Sequence, residues 1–250
     1  MINRFLILVV TGVIALSTAA LCADAGKDNL SIFLNTGYGA GIGGYLIDST
    51  HFTNSTNRLI KNQEHYLNYG GGINLSVGAN YKLLENLFAQ AALRFAWGVP
   101  SIKAETVNGI LNTSYNTTYK PGMWGINIMV LPRIRVIDLF EAYTGVGCGI
   151  YFSYCDIEDS RAPNIKGSIS TWPALGLSGL IGAEYPVMDE LILFGEISYD
   201  AMSFTITKLI HPNVVTAFNY VPNSLNNELP PYNIPGTNIA LRIGARFIVF

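Results

Sequence analysis

The stretch Thr237–Phe250, TNIALRIGARFIVF, decides the fold class. Its residues alternate between an apolar face and a face that is small, polar or charged. The apolar face holds Ile239, Leu241, Ile243, Ala245, Phe247 and Val249, and the other holds Asn238, Ala240, Arg242, Gly244 and Arg246. An apolar outside and a polar inside are typical of a barrel wall in a membrane. We therefore predict that this stretch is the last strand of a closed transmembrane β-barrel.

Seven earlier segments show the same alternation. They lie at about 29–40, 69–82, 87–97, 123–135, 140–154, 169–185 and 191–204. Long and short connections alternate between them, which is the pattern of an up-and-down meander. Because unpaired backbone cannot face lipid, the strands must close into a ring. We predict an all-β fold, an eight-stranded antiparallel up-and-down transmembrane β-barrel preceded by a cleavable signal peptide.

The first residues have the pattern of an export signal. A positively charged start is followed by the apolar run Phe5–Leu21 and by small residues at 23–25. This run is too short for a membrane anchor and is followed by a cleavage pattern. We assign residues 1–25 to the signal peptide and residues 26–250 to the barrel. Lipid attachment at Cys22 is disfavoured because the bulky Leu21 precedes it.

Composition supports the membrane assignment. Charged residues make up 13% of the chain, against about 25% in ordinary soluble domains. The net charge of −2 gives no reason to expect nucleic-acid binding. The alternative is a soluble β-sandwich or lipocalin-like barrel whose apolar face forms the core. The polar face argues against it, because it consists mainly of Gly, Ala, Ser and Asn rather than dense charge.

A few charged residues fall on the predicted inner face. They form a predicted interior charge network of Arg94, Arg133, Glu141, Glu184, Glu196, Arg242 and Arg246. Buried charges must pair, and the interior of an eight-stranded barrel is filled by side chains. We expect Arg133 to face Glu141, and Glu196 to face Arg242 or Arg246. Such pairs would close the lumen; the alternative is a charged constriction in a narrow pore.

Aromatic residues mark the strand ends. We predict one interfacial belt at the long-loop end, formed by Trp97, Trp124, Phe152, Trp172 and Phe204. A second belt at the short-turn end is formed by Tyr81, Phe140, Tyr185 and Phe247. Such girdles are expected where a barrel wall meets the two membrane surfaces.

The histidines and cysteines suggest little chemistry. His51, His65 and His211 all fall in predicted long loops, without metal-site spacing, so no metal or cofactor is predicted. A rim enzyme would need His211 beside Asp200, or His51 beside Asp48 and Ser49; solvated histidines are favoured.

Cys148 and Cys155 are seven residues apart. On an extended strand that is about 23 Å, too far for a disulfide. We predict two free thiols, although a turn near Tyr154 would permit a bond.

Three short connections carry a family resemblance. Tyr81–Leu87, YKLLENL, resembles the periplasmic turns of the small eight-stranded outer-membrane proteins, the OmpA/OmpX/opacity-like superfamily. Glu184–Leu191 and Val136–Leu139 are looser copies. Phe247 and the terminal Phe250 resemble the family's assembly signal. In the family's usual signal, the apolar residues of the last strand share parity with the final aromatic residue. Here they share parity with Val249 instead of Phe250, which is a departure from that pattern.

The resemblance implies a location and a role. It implies an exported, monomeric outer-membrane protein that is inserted by the barrel-assembly machinery and surrounded by lipid. Relatives of this size often act in adhesion, host binding or envelope integrity. We therefore predict a non-enzymatic surface protein whose four long loops contact an extracellular or host ligand. The second hypothesis is a narrow channel for small solutes or apolar molecules, as in the OmpW-like branch. The third is an enzyme acting on lipid or peptide at the outer rim.

Overall fold

The computed structural model describes residues 30–53, 59–107, 113–137, 140–160, 162–210, 212, 218–219 and 233–249. The predicted signal peptide and Phe250 lie outside these ranges. Within them the secondary structure is entirely β, and no helix there is long and apolar enough to cross a membrane.

The described residues form fifteen strands. In chain order they are β1 (Leu30–Gly41), β2 (Tyr45–Thr53), β3 (Leu59–Leu67), β4 (Gly72–Leu84), β5 (Leu87–Trp97), β6 (Ser101–Val107), β7 (Thr113–Ile137), β8 (Phe140–Asp159), β9 (Gly167–Thr171), β10 (Ala174–Met188), β11 (Leu191–Ala201), β12 (Ser203–Ile210), β13 (Phe218–Asn219), β14 (Asn233–Pro235) and β15 (Asn238–Ile248).

Eight of these strands form a closed antiparallel wall. Its order around the ring is β1, β4, β5, β7, β8, β10, β11 and β15. The ring closes because β15 pairs with both β11 and β1, and β7 pairs with both β5 and β8. The predicted eight-stranded up-and-down barrel is confirmed. The register of β15 with β1 is regular as far as Ile248, without a bulge near the end of the strand.

The wall is apolar outside and polar inside. Leu175, Leu177 and Val146 are 82%, 70% and 69% exposed, whereas Asn127 and Asn238 are fully buried. The alternation of each strand therefore directs its apolar side chains to lipid and its polar ones to the lumen. A soluble barrel would have the reverse arrangement, so that alternative is wrong.

Aromatic pairs occupy both ends of the wall. At the loop end the rings of Trp124 and Phe152 stack with centroids 4.4 Å apart. At the turn end the rings of Phe140 and Tyr185 lie 5.3 Å apart. The belt position predicted for Phe204 is wrong, because its side chain is fully buried against Tyr69.

The long connections contain more β structure than the sequence predicted. β7 and β8 continue beyond the wall and stay paired as far as Thr117 and Asp159. β6 pairs with β7 there, β2 pairs with β3, and β9 pairs with β8 and β12. The described parts of the four predicted loops thus contain short strands.

The predicted sixth strand is interrupted where the sequence suggested an irregularity. β9 ends at Thr171 and β10 begins at Ala174. Pro173 has no N–H for the ladder, and the Trp172 N–H donates to the Thr205 carbonyl at 3.0 Å. The predicted seventh strand divides in the same way at Met202, between β11 and β12. Both breaks let the chain leave the wall and cover its opening.

Apolar side chains cover the loop end of the lumen. We call this cluster the loop-end cap; it consists of Leu67, Tyr69, Ala96, Tyr119, Met123, Tyr151, Cys155, Ile157, Ile169, Ala174, Met202, Phe204, Ile206 and Ile234. It combines inward side chains of the wall with side chains from β9, β12 and β14. β9, β12 and β14 therefore cover the barrel opening.

The lipid-facing wall generates a first prediction. Ile243 is 66% exposed near the middle of β15, and Ile165 is 55% exposed between β8 and β9, outside the wall. Replacing Ile243 with Arg should lower the free energy of unfolding by about 2–4 kcal/mol, because a charge is placed at mid-membrane depth. Urea titration of the barrel in lipid vesicles measures this loss.

Ile165→Arg is the matched control. It should change the free energy of unfolding by less than about 0.5 kcal/mol, because its site is in water. Equal losses in the two variants would contradict the membrane placement of the wall.

Candidate functional site

The lumen is the first candidate site, and its side chains are arranged in layers. Along β7 the residues run from Arg133 near the turn end, through Leu131 and Met129, to Gly125, which pairs with Arg94 on β5. Charged residues occur near Arg133 and again at the level of Arg94. Apolar side chains pack between these two levels: Met129, Leu131, Tyr143 and Leu180, with Phe88 and Phe194 against them.

Four charged residues form what we call the central cluster: Arg94, Glu196, Asp200 and Arg242. Asp200 accepts hydrogen bonds from Arg94 at 2.5 Å, from Arg242 at 3.1 Å and from the Ser178 hydroxyl at 2.6 Å. Arg242 also lies 3.6 Å from Glu196. Each arginine therefore has a carboxylate partner, as buried charges require.

Neutral groups complete this cluster. Glu196 accepts hydrogen bonds from Asn35 at 3.0 Å and from the Tyr143 hydroxyl at 3.2 Å. Arg94 Nη2 donates to the Met129 sulfur at 3.3 Å. These contacts tie β1, β5, β7, β8, β11 and β15 together through the lumen.

Nearer the short turns lie three residues that we call the turn-end cluster: Arg133, Glu184 and Arg246. Both guanidinium groups donate to the same Glu184 oxygen, from Arg133 at 2.5 Å and from Arg246 at 2.6 Å. The Arg133 guanidinium also stacks over the Phe88 ring, 3.8 Å from its centroid. This cluster contains one more arginine than carboxylate.

Glu141 does not pair with Arg133, which differs from the expected pairing. Arg133 is opposite Tyr143, whereas Glu141 is opposite Arg135, 3.7 Å away. Both pairs follow the one register that holds along β7 and β8 as far as Arg135, and the register shift lies beyond them, between Arg135 and Ile137. Glu141 consequently lies at the lumen mouth, where its side chain is 34% exposed. The network expected from sequence also omitted Asp200, although Asp200 shares the inward parity of Glu196 on the same strand.

An apolar wall around paired buried charges is the arrangement that only a lipid environment supports. This chain is a small outer-membrane β-barrel. We expect the loop end to be extracellular and the turn end periplasmic, because barrels of this type have long extracellular loops and short periplasmic turns.

Comparisons with known proteins agree on architecture alone. No family model matches the chain, and no curated protein matches it. A major outer membrane protein from Thermus thermophilus is 17% identical, with 87% of this chain and 98% of that chain covered and a TM-score of 0.49. Neisserial surface protein A is 11% identical, with 90% and 100% covered and a TM-score of 0.47.

An enzyme is also among the similar structures. The outer membrane protease OmpT from Escherichia coli is 10% identical, with 90% of this chain and 98% of that chain covered and a TM-score of 0.47. Likenesses at this level carry no information on activity or ligand.

Only some of the residues predicted for a rim enzyme lie in the described part of this outer-membrane barrel. His211 and the side chains of His51, His65 and Asp48 lie outside the described part of the chain. Within that part, no group of three or more His, Cys, Asp or Glu side chains is arranged to hold a metal. Asp200 is buried in the central cluster rather than at the rim.

The two cysteines are free thiols, as predicted. β8 continues without a turn through Tyr154, so the alternative of a disulfide fails. Cys148 faces outward from the wall, whereas Cys155 is buried in the loop-end cap. Burial raises the pKa of the Cys155 thiol to about 12. At neutral pH the thiol is therefore protonated and unreactive.

The central cluster generates a second prediction. Asp200→Asn removes the carboxylate that both Arg94 and Arg242 contact. We expect the free energy of unfolding to fall by about 3–5 kcal/mol, because buried positive charge is left uncompensated. Urea titration of the variant in lipid vesicles measures this fall in the free energy of unfolding.

Glu158→Gln is the control, because it breaks the exposed Lys120–Glu158 pair. It should cost no more than about 1 kcal/mol. A cost for Asp200→Asn as small as that of the control would contradict the inferred role of the cluster.

The thiols generate a third prediction. In the Cys148→Ser variant, folded in vesicles at neutral pH, Cys155 should resist a charged maleimide and react only after unfolding in urea. Its protonation and its burial in the cap are the reasons. Mass spectrometry follows the labelling. Rapid modification of Cys155 in the folded protein would show that the cap opens readily.

Proposed function

We propose that this protein is a non-enzymatic, monomeric surface protein of the outer membrane, acting in adhesion or envelope structure through its extracellular strands and loops. The observation that carries the proposal is the filled lumen. Two charged clusters, an apolar layer and the loop-end cap follow one another along it. Function is thereby directed to the extracellular face.

A continuous channel is the second hypothesis, and the lumen argues against it. The cavity beside Arg94, Asp200 and Arg242 has a volume of about 10 Å³. The cavity between the two charged clusters, beside Glu196 and Arg246, is also about 10 Å³. Each has room for about one water molecule, and the cap lies above them.

A rim enzyme built on Asp200 is also disfavoured. One Asp200 oxygen accepts from Arg94 and Ser178, and the other accepts from Arg242. A carboxylate buried between two arginines inside the barrel is not placed to orient a histidine at the rim. These contacts support a structural role for Asp200.

The extracellular strands offer a contact surface. Apolar side chains outside the wall are exposed there: Leu46 on β2, Ile102 on β6 and Ile165 after β8 are 44%, 55% and 55% exposed. Lipid does not cover side chains at this level, and exposed apolar groups in water often mark binding sites. The partner would be an extracellular or host ligand. Lipid would surround the wall, and the barrel-assembly machinery would be needed only for insertion.

Single-channel recording in a planar bilayer tests the closed lumen. The folded wild-type protein should show no conductance steps. The matched variant Glu158→Gln, whose charge change lies outside the barrel, should also be silent. Regular steps in the wild type that change on neutralising Glu196 or Arg242 would replace the surface role with a pore.

An adherence assay tests the surface role. Cells displaying the protein should bind host cells or matrix better than cells without it. The double variant Leu46→Ser/Ile102→Ser should lower that binding by about tenfold or more, because apolar anchors dominate contact energies. Lys120→Gln, exposed on the β7–β8 extension, is the control. Equal adherence with and without the protein would overturn the adhesion hypothesis.

A further inference from the structure

The two charged clusters of the lumen differ in charge balance. The central cluster has two arginines, Arg94 and Arg242, and two carboxylates, Glu196 and Asp200. In the turn-end cluster two arginines share one carboxylate, Glu184. All three turn-end residues are at most 5% exposed. Glu141 lies opposite Glu184 and adds a partly exposed carboxylate beside the cluster, but it pairs with Arg135 at 3.7 Å. The buried residues themselves therefore keep one positive charge in excess, which favours an anion beside them.

The turn-end cluster lines a cavity. We call it the turn-end cavity; its volume is about 210 Å³. Its charged lining residues are Lys82, Arg133, Arg135, Glu141, Glu184 and Arg246. Four of these are cationic and two are anionic, so the lining has a net charge of +2 when all are ionised. The cavity is large enough for a small anion and far larger than the two voids deeper in the lumen.

The arginines keep donors that no described residue uses. Arg133 and Arg246 each direct one Nη group to Glu184, and within the described residues the Nε atom of each is buried without a hydrogen-bond partner. Stacking on Phe88 fixes the plane of the Arg133 guanidinium. Fixed, planar guanidinium groups with free donors are suited to phosphate oxygens.

We propose that the turn-end cavity binds a small phosphate-type oxyanion at the periplasmic mouth of the barrel. Arg133 and Arg246 would donate to the oxyanion, while Lys82 and Arg135 attract it from solvent. Two sources share this chemistry: free phosphate in the periplasm and the headgroup of an inner-leaflet phospholipid. The site is separated from the extracellular face by the central cluster and the cap, so it is independent of the surface role.

Calorimetric titration of the full refolded protein in a non-ionic maltoside detergent tests the site. The probe is inorganic phosphate, compared with chloride at constant ionic strength. Wild type should bind one phosphate per chain. Arg246→Gln should weaken binding by about tenfold or more, because a charge-assisted hydrogen bond is lost. It leaves Arg133 and Glu184 as a balanced pair, so the barrel keeps its fold.

Two further variants make the test specific. Lys82→Gln, at the cavity mouth, should weaken binding about threefold, because it removes an attracting charge that is partly exposed to solvent. Lys120→Gln removes the same charge on the extracellular side and should leave phosphate affinity unchanged. If Arg246→Gln does not fold, the phosphate affinity of Lys82→Gln, compared with that of Lys120→Gln, tests the proposal. The proposal is overturned if wild type binds phosphate no better than chloride, or if Lys82→Gln binds it as tightly as Lys120→Gln.

A second titration distinguishes the two sources. Dihexanoyl phosphatidic acid, used below its micellar concentration, presents the same phosphate on a short lipid. Binding at least tenfold tighter than phosphate would assign the site to a phospholipid headgroup. Binding no tighter than phosphate would assign it to the free anion. Either result requires that Arg246→Gln weakens binding; equal affinity in that folded variant would overturn the site.

Discussion

Backbone hydrogen bonding in lipid is the constraint on which this structure depends. A bilayer core offers no partner to a peptide N–H or carbonyl, so the wall must have no free edge. The pairing of β1 with β15 provides closure over eleven successive residue pairs, from Ser31↔Ile248 to Gly41↔Asn238. Once the ring is closed, the two-residue period of each strand decides which side chains meet lipid and which fill the lumen.

A second constraint is that the closed ring confines charged side chains in a narrow lumen. Arginines that point inward cannot remain unpaired. The central cluster satisfies them with carboxylates from β11, so that Asp200 and Glu196 hold β5 and β15 from inside. Above and below, apolar layers exclude water, which strengthens each pair. The same side chains that stabilise the barrel therefore also fill its lumen.

Much of this architecture follows from local pattern. Alternation in 237–250 and in seven other segments predicts the strands, the ring and the polarity of both faces. Parity does not give the register of two neighbouring strands. Glu141 pairs with Arg135 rather than with Arg133 because the register of β7 with β8 places it opposite Arg135. Local pattern also places Phe204 at the rim, because the segment that follows it resembles a loop. The burial of Phe204 depends on tertiary contacts of β12 with β9 and β14, which no local pattern records.

The extension of β7 and β8 gives the molecule height. β7 leaves its last pairing with β5 at Gly122 and continues outward to Thr113, a further rise of about 30 Å before tilt at about 3.3 Å per residue. That distance is comparable to the hydrocarbon thickness of a bilayer. β8 stays paired with this extension as far as Thr117, and β6 pairs with it from Tyr119 to Thr113, so the extension is hydrogen-bonded to a neighbouring strand as far as Thr113. A hydrogen-bonded ribbon keeps its height above the membrane, whereas an unpaired loop of equal length would collapse back onto it.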